Sequence, residues 1–330
     1  MMMMNYFDYD DVNLIPKYSD IESRSECDTS IKIGKYEFKI PHIPANMESV
    51  ITPDICKELA TNGYFYIMHR FIDFESLTEF ISDLKKEDLI TSISIGVKKE
   101  WYDFIDNLIK SDLIPDYITI DIAHGHSKMM GDMLKYLKDN NVSSFIIAGN
   151  VSTVKGTEFL LENGAHGVKI GIGPGNACTT SHNTKMGTRG IQASVIRNIC
   201  NGRYHTGRYC NFFIADGGII NPGDTAVALS MGADATMCGK LFTGTDDSPG
   251  NIVEIDNQKL VEYWGSASSH QTGKKDRIEG TKKLISYIGG NFMDRCVFLK
   301  QCLQSSFSYT GVRNIKDFKE EVEYIIIKYN

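Results

Sequence analysis

The sequence predicts an α/β fold, a (β/α)8 TIM barrel, from two observations. About eight short apolar runs rich in β-formers alternate with helical patterns, and nearly every run closes on polar or glycine residues at its C-terminal end. The runs are 43–47, 64–69, 92–97, 117–123, 145–151, 167–172, 212–217 and 233–239. Between them, segments such as 74–84, 99–109, 128–137 and 222–231 place apolar residues three and four apart, which gives a helix one apolar stripe to bury. Such alternation also admits a doubly wound sheet. The barrel is preferred because the residues able to do chemistry gather after the strands, on the face where barrel enzymes build their sites.

Taken in order, the strand ends are Ala45-Asn46-Met47, then Met68-His69-Arg70, then Asp121-Ile122-Ala123-His124-Gly125-His126, then Ala148-Gly149-Asn150. The run at 167–172 passes straight into Gly171-Ile172-Gly173-Pro174-Gly175-Asn176-Ala177-Cys178-Thr179-Thr180. Pro174 restricts both itself and Gly173, and the glycines turn tightly, so the loop presents Cys178 at its tip. A free cysteine is most often a small buried hydrophobe; this loop makes it equally a candidate nucleophile. The last two strands end in Ala215-Asp216-Gly217-Gly218 and Met237-Cys238-Gly239-Lys240, where barrels commonly hold a phosphate through exposed amides. Asp216 can accept hydrogen bonds from ribose hydroxyls, or simply cap a turn.

The chain has 330 residues, enough for one large core, and no low-complexity linker divides it, so a single domain spanning 1–330 is expected. Lys plus Arg number 35 against 42 Asp plus Glu, a net charge of −7, which offers no basic field for nucleic acid and no polybasic membrane patch. The expected partner is a small molecule. The 8 cysteines are scattered without a CxxC pair, which favours a reducing cytoplasm. Residues 1–11 lack the basic flank and apolar core of a signal peptide, and no apolar run is long enough to span a bilayer.

His124 and His126 with Asp121 nearby invite a metallohydrolase reading. Further ligands would have to come from neighbouring strand ends, which offer Asn150, Gly171 and Gly239 instead, none of them a typical hydrolase ligand. Residues 264–282, from Trp264-Gly265-Ser266-Ala267-Ser268 through a charged, glycine-containing run, read as a mobile flap followed by a C-terminal extension. Glu279 in that run is by default a solvated charge.

The 171–180 loop resembles the catalytic loop of the IMP dehydrogenase and GMP reductase family. So do Tyr9-Asp10-Asp11-Val12, Ser23-Arg24-Ser25-Glu26-Cys27-Asp28, and the strand ends at 45–47, 121–126 and 214–218, so that the resemblance covers essentially the whole chain. Within the family it is similar to the shorter bacterial reductases, notably at residues 63–71, 242–244 and 265–268. Dehydrogenases usually carry a large regulatory insertion after the second strand, and only a helix-length stretch separates His69 from Ser92 here. Their flap also supplies an adjacent Arg-Tyr pair that activates water; in this flap Arg277 is followed by Ile278.

The resemblance implies NADPH-dependent reductive deamination of GMP to IMP, with Cys178 adding to purine C2 and Thr180 and Glu279 protonating the departing ammonia. It implies Asp216 at the ribose, Gly218, Gly239 and Lys240 at the phosphate, and Ser266 and Ala267 at the base. Arg70, Asp121, Asn150 and Asn46 fall on the nicotinamide side of the cofactor. Backbone carbonyls of Gly171, Gly173 and Cys178 resemble the family's monovalent cation (K+) site, and a homotetramer is implied as well. Asn176 stands where serine is usual near the phosphate, and Trp264 where tyrosine or phenylalanine is usual. The alternatives are an insertion-free IMP dehydrogenase, the metal-dependent hydrolase, and a catalytically silent nucleotide binder.

Overall fold

The structure, a computed structural model, describes residues 6–206, 212–272 and 280–327. Seven parallel strands form its central sheet: β1 (His42–Pro44), β2 (Ser92–Ile95), β3 (Tyr117–Asp121), β4 (Phe145–Val151), β5 (Gly167–Ile170), β6 (Phe212–Asp216) and β7 (Ala235–Cys238). Their order in the sheet is β1-β7-β6-β5-β4-β3-β2, so the first strand pairs with the last, through His42 opposite Thr236 and Ile43 opposite Met237. Each strand begins within two residues of its sequence-predicted start.

The expected eighth strand, 64–69, is the departure. Only Met68 bridges β2, its amide donating to the Ser92 carbonyl at 3.0 Å while Ser94 donates back to the Met68 carbonyl at 2.8 Å. The ladder does not extend further toward the N-terminus because the Ser92 amide turns to the Tyr66 hydroxyl, 3.3 Å away, which itself donates to the Ile90 carbonyl. A side chain has taken the position that a strand carbonyl would need. The segment is nonetheless buried from Tyr64 to Met68.

Helices cover the sheet, and the expected stretches 74–84, 99–109, 128–137 and 222–231 are among them. They are α1 (Pro53–Thr61), α2 (Phe74–Lys86), α3 (Lys99–Lys110), α4 (Lys128–Asp139), α5 (Val154–Glu162), α6 (Gln192–Thr206) and α7 (Pro222–Ser230). Local chemistry sets several starts: Thr52, Asp73 and Thr153 each accept a hydrogen bond from a first-turn amide, and proline opens α1 and α7. In α3, Trp101, Phe104, Ile105 and Leu108 are the buried stripe. A last long helix, α8 (Phe292–Thr310), sets Leu303 and Phe307 in one apolar cluster with Ala226 and Leu229 of α7. The chain ends meet, Val12–Ile15 running antiparallel to Glu323–Ile326. Among the described residues no helix is long and apolar enough to cross a membrane.

Outside the central sheet, β8 (Ile252–Ile255), β9 (Gln258–Trp264) and β10 (Lys282–Ser286) form an antiparallel sheet from which the flap emerges. Its far root is strapped to the 171–180 loop: Gly280 bridges both Cys178 and Ser268, and the Thr281 amide donates to the Ala177 carbonyl at 2.9 Å.

Candidate active site

The C-terminal ends of the parallel strands open into one cavity of about 280 Å³. Cys178, Thr180, Asp216, Ser266, Ala267, Arg70, Asp121, Asn150, Asn46, Gly171 and Gly173 all line it, although they come from seven separate stretches of chain. Gly218, Gly239, Lys240 and Asn176 are outside the lining. Gly218 follows Gly217 in a turn beside the buried Tyr9 ring, and Gly239 lies against the Tyr263 hydroxyl, which a Cβ would meet at 2.3 Å. Asn176 faces Lys283, whose ammonium donates to its carbonyl at 2.6 Å. Glu279 lies outside the described residues.

Backbone geometry makes the loop possible. Gly171 holds φ +143°, and a Cβ there would fall 2.1 Å from the Asp216 carbonyl oxygen, so only glycine lets β5 leave the sheet this close to the end of β6. The Cys178 amide then closes a turn on the Gly175 carbonyl at 3.1 Å. The partly exposed Cys178 thiol faces the Thr180 hydroxyl at 3.3 Å.

At the cavity floor sits a side chain that the strand-end reading passed over. Lys169 alternates along β5 with the apolar Val168 and Ile170, and its side chain is 3 % exposed. Its ammonium donates to Asp121 Oδ1 at 2.6 Å and pairs with Asp216 Oδ2 at 3.1 Å. Asn46 donates to Asp121 Oδ2 at 3.1 Å, and the Asn150 amide donates to Asp216 Oδ2 at 2.7 Å and to the Gly171 carbonyl at 2.6 Å. Burial pushes the Asp121 carboxyl up, but the Lys169 ammonium, with Arg70 and the hydrogen bond from Asn46, outweighs it and holds the group below the usual carboxylate range. Burial likewise pulls Lys169 down, and the two carboxylates more than reverse it, so the ammonium is charged throughout the neutral range. A lysine within an apolar strand is the sequence signal that marks it, since an unpaired buried charge would be prohibitive.

The metal reading finds little here. Asp121 is engaged by Lys169 and Asn46, the His126 ring packs on Phe159 with centroids 4.9 Å apart, and no group of three or more His, Cys, Asp or Glu among the described residues converges on a point. What the cavity offers is a thiol at its mouth, two carboxylates tied to one ammonium at its floor, and a flap rooted beside the thiol.

Comparison with known proteins agrees with that chemistry. The family described as IMP dehydrogenase / GMP reductase domain matches residues 6–329. Proteins named GMP reductase from Oceanobacillus iheyensis and Staphylococcus aureus are each 45% identical to the chain, over 99% and 98% of it respectively and 97% of their own length. One of the same name from Lysinibacillus sphaericus is 44% identical over 99% of the chain and 97% of its own length. With cavity, thiol loop and flap assembled from stretches that this match spans end to end, the chain belongs to the IMP dehydrogenase / GMP reductase family.

Proposed function

We propose that the protein is a GMP reductase, converting GMP to IMP and ammonia with NADPH. The observation that carries this is the Cys178 thiol standing in a cavity whose floor holds Asp216 on Lys169 and whose mouth is bridged to the flap root at Gly280. Thiolate addition to purine C2 makes a C–S bond, and ammonia leaves as the C–N bond breaks. Hydride, which NADPH supplies when bound, then goes to C2, and the C–S bond breaks to return the thiolate. Dividing one difficult displacement in this way is what a nucleophilic cysteine does best.

Each residue has a task in this reading. Both interactions that Asp216 makes with Lys169 and Asn150 go to Oδ2, which leaves Oδ1 to the ribose. Ser266 and Ala267, which line the cavity, are assigned to the base, and Gly218, Gly239, Lys240 and Asn176, which lie beyond that lining, to the phosphate. On the cofactor side, Arg70 Nε is buried with no hydrogen-bond partner among the described residues, a donor suited to an amide oxygen. With Asn46, Asp121 and Asn150 it would hold the nicotinamide end of NADPH.

Four coarser matters complete the proposal. Residues 64–69 act as the eighth stave of a closed barrel, supported by the Met68 bridge; the chain works as one catalytic domain, supported by the larger of its two apolar clusters, which draws on residues from Phe7 to Leu299. Homotetramer formation is supported by exposed Ile252, Ile255 and Leu284 on the flap sheet, and a cytoplasmic setting by the free thiols of Cys27, Cys56, Cys178, Cys238, Cys296 and Cys302.

The deciding experiment follows NADPH consumption with GMP and assays ammonia. One ammonia released per NADPH oxidised is expected; NAD reduction with IMP in the absence of GMP turnover would mark a dehydrogenase instead.

Glu279 is given the proton transfer to ammonia together with Thr180, supported by the bridge between Cys178 and the residue that follows it, Gly280. Its task is then confined to one half-reaction. Glu279→Gln is expected to lower steady-state GMP reduction by about 100-fold, the scale of a lost general acid. The reverse hydride step, from IMP to NADP, needs no ammonia and is expected to persist as a single-turnover burst of NADPH. Equal loss of both steps would return Glu279 to a structural role.

A further inference from the structure

Two carbonyls of the cysteine loop converge on one nitrogen. Arg189 Nη2 donates to the Gly175 carbonyl at 2.9 Å and to the Cys178 carbonyl at 3.0 Å, the two ends of the turn that carries the thiol. Oxygens aimed at one point accumulate negative potential that a cation relieves. The backbone leading into this arginine is held in place, although the side chain itself is exposed. Thr188 is buried, and its amide donates to the Ile172 carbonyl at 2.8 Å. Gly187 holds φ +130°, and a Cβ there would lie 2.3 Å from the same oxygen, so the chain approaches the loop more closely than any other residue allows. On the far side the Gln192 amide donates to the Ile170 carbonyl at 2.8 Å.

The carbonyls implied for a monovalent cation do not fit that use. The Gly171 oxygen already accepts from Asn150, and the Cys178 oxygen from the guanidinium. A potassium ion at the Cys178 carbonyl would face the guanidinium, with Lys185 and Lys283 lining the recess of about 450 Å³ that Cys178 and Arg189 share. We infer that Arg189 takes the place of a bound monovalent cation in this chain, neutralising the carbonyls of the 175–178 turn and so positioning Cys178 for attack. A planar guanidinium with several donors serves two carbonyls at once, which a single ammonium does less well. Arg189 is a positioning residue that acts through the loop, and the inference rests on Cys178 being the nucleophile.

The test compares full-length wild type, Arg189→Ala and Arg189→Lys in potassium-free buffer, with choline chloride holding the ionic strength. Alkylation of Cys178 by iodoacetamide, followed by peptide mass, reads thiol positioning without turnover; kcat for GMP reduction is the second readout. Wild type is expected to change by less than about twofold when potassium or guanidinium replaces choline. Arg189→Ala is expected to be slower in both readouts by about tenfold, the scale of lost charge-assisted hydrogen bonds, and to recover when either cation is added. Arg189→Lys should fall between the two. The expected alkylation pattern without GMP turnover in any of the three proteins, wild type included, sinks the proposed activity and leaves the positioning role standing. Wild type that itself requires potassium overturns the inference, as does an Arg189→Ala protein alkylated in choline as fast as wild type or faster. A slow Arg189→Ala protein, folded by circular dichroism and restored by no cation, overturns it too by making the arginine merely structural.

Discussion

Cys178→Ala is expected to bind GMP and to leave NADPH untouched. The contacts proposed for ribose and phosphate come from Asp216, Gly218 and Gly239, on β6 and after β6 and β7, while the change removes one sulfur from a loop whose turn is held by main-chain bonds. The Cys178 amide still reaches the Gly175 carbonyl, and Arg189 still holds both carbonyls, because neither interaction uses the side chain. Calorimetry should therefore find GMP affinity within about threefold of wild type, since a lone thiol hydrogen bond is weak. Turnover should fall by at least about 10⁴-fold, because no other group can form the covalent intermediate. Appreciable NADPH oxidation by a clean preparation would remove Cys178 from the nucleophile's role.

Lys169→Met is expected to damage stability more than any surface change and to alter its pH dependence. In the wild type one ammonium neutralises Asp121 and Asp216 at 2.6 Å and 3.1 Å; methionine fills similar volume and leaves two carboxylates facing each other in a half-buried floor. Breaking a buried ionic cluster from one side costs about 3–5 kcal/mol. The sign with pH follows from the shifts. Asp121 is held below its ordinary range in the wild type, so the stability it contributes is present above the unfolded aspartate value and disappears as pH falls through the folded one. Lys169 is raised, so its contribution is lost only as pH rises through its folded value, above the ordinary lysine range. Without the ammonium the carboxylates repel and one retains a proton, the folded state binds more protons than the unfolded, and stability falls as pH rises. Denaturant unfolding at about pH 5 and about pH 8 should show the gap between wild type and variant narrowing at the lower pH. A gap that is constant with pH would mean the loss is one of packing alone.

Much of the fold and site is legible in the sequence, for particular reasons. Strand positions followed from short β-rich runs such as 145–151, and helix α3 from its apolar residues at three and four, because these periods are properties of the backbone. The cysteine loop was readable because glycine and proline restrict φ locally, and Gly171 is in fact held at a positive φ that side chains rarely adopt. Asn46, Arg70, Asp121, Asn150 and Asp216 were found together because parallel strands deliver their C-terminal ends to one face.

By itself, then, the order of residues determined the alternation of strand and helix, the thiol on its loop, and which strand ends carry polar groups. Tertiary structure alone decided what those groups do to one another. Lys169 lies 48 residues from Asp121 along the chain, and the Tyr66 hydroxyl takes the Ser92 amide and ends a ladder that the sequence extends. Arg189 meets Cys178 across 11 residues only because Gly187 and Thr188 dock against Ile172. Secondary structure follows from torsional and periodic preferences within a few neighbours, whereas the charge pairing, the ladder's end and the loop clamp depend on through-space distances of about 3 Å that no local preference specifies.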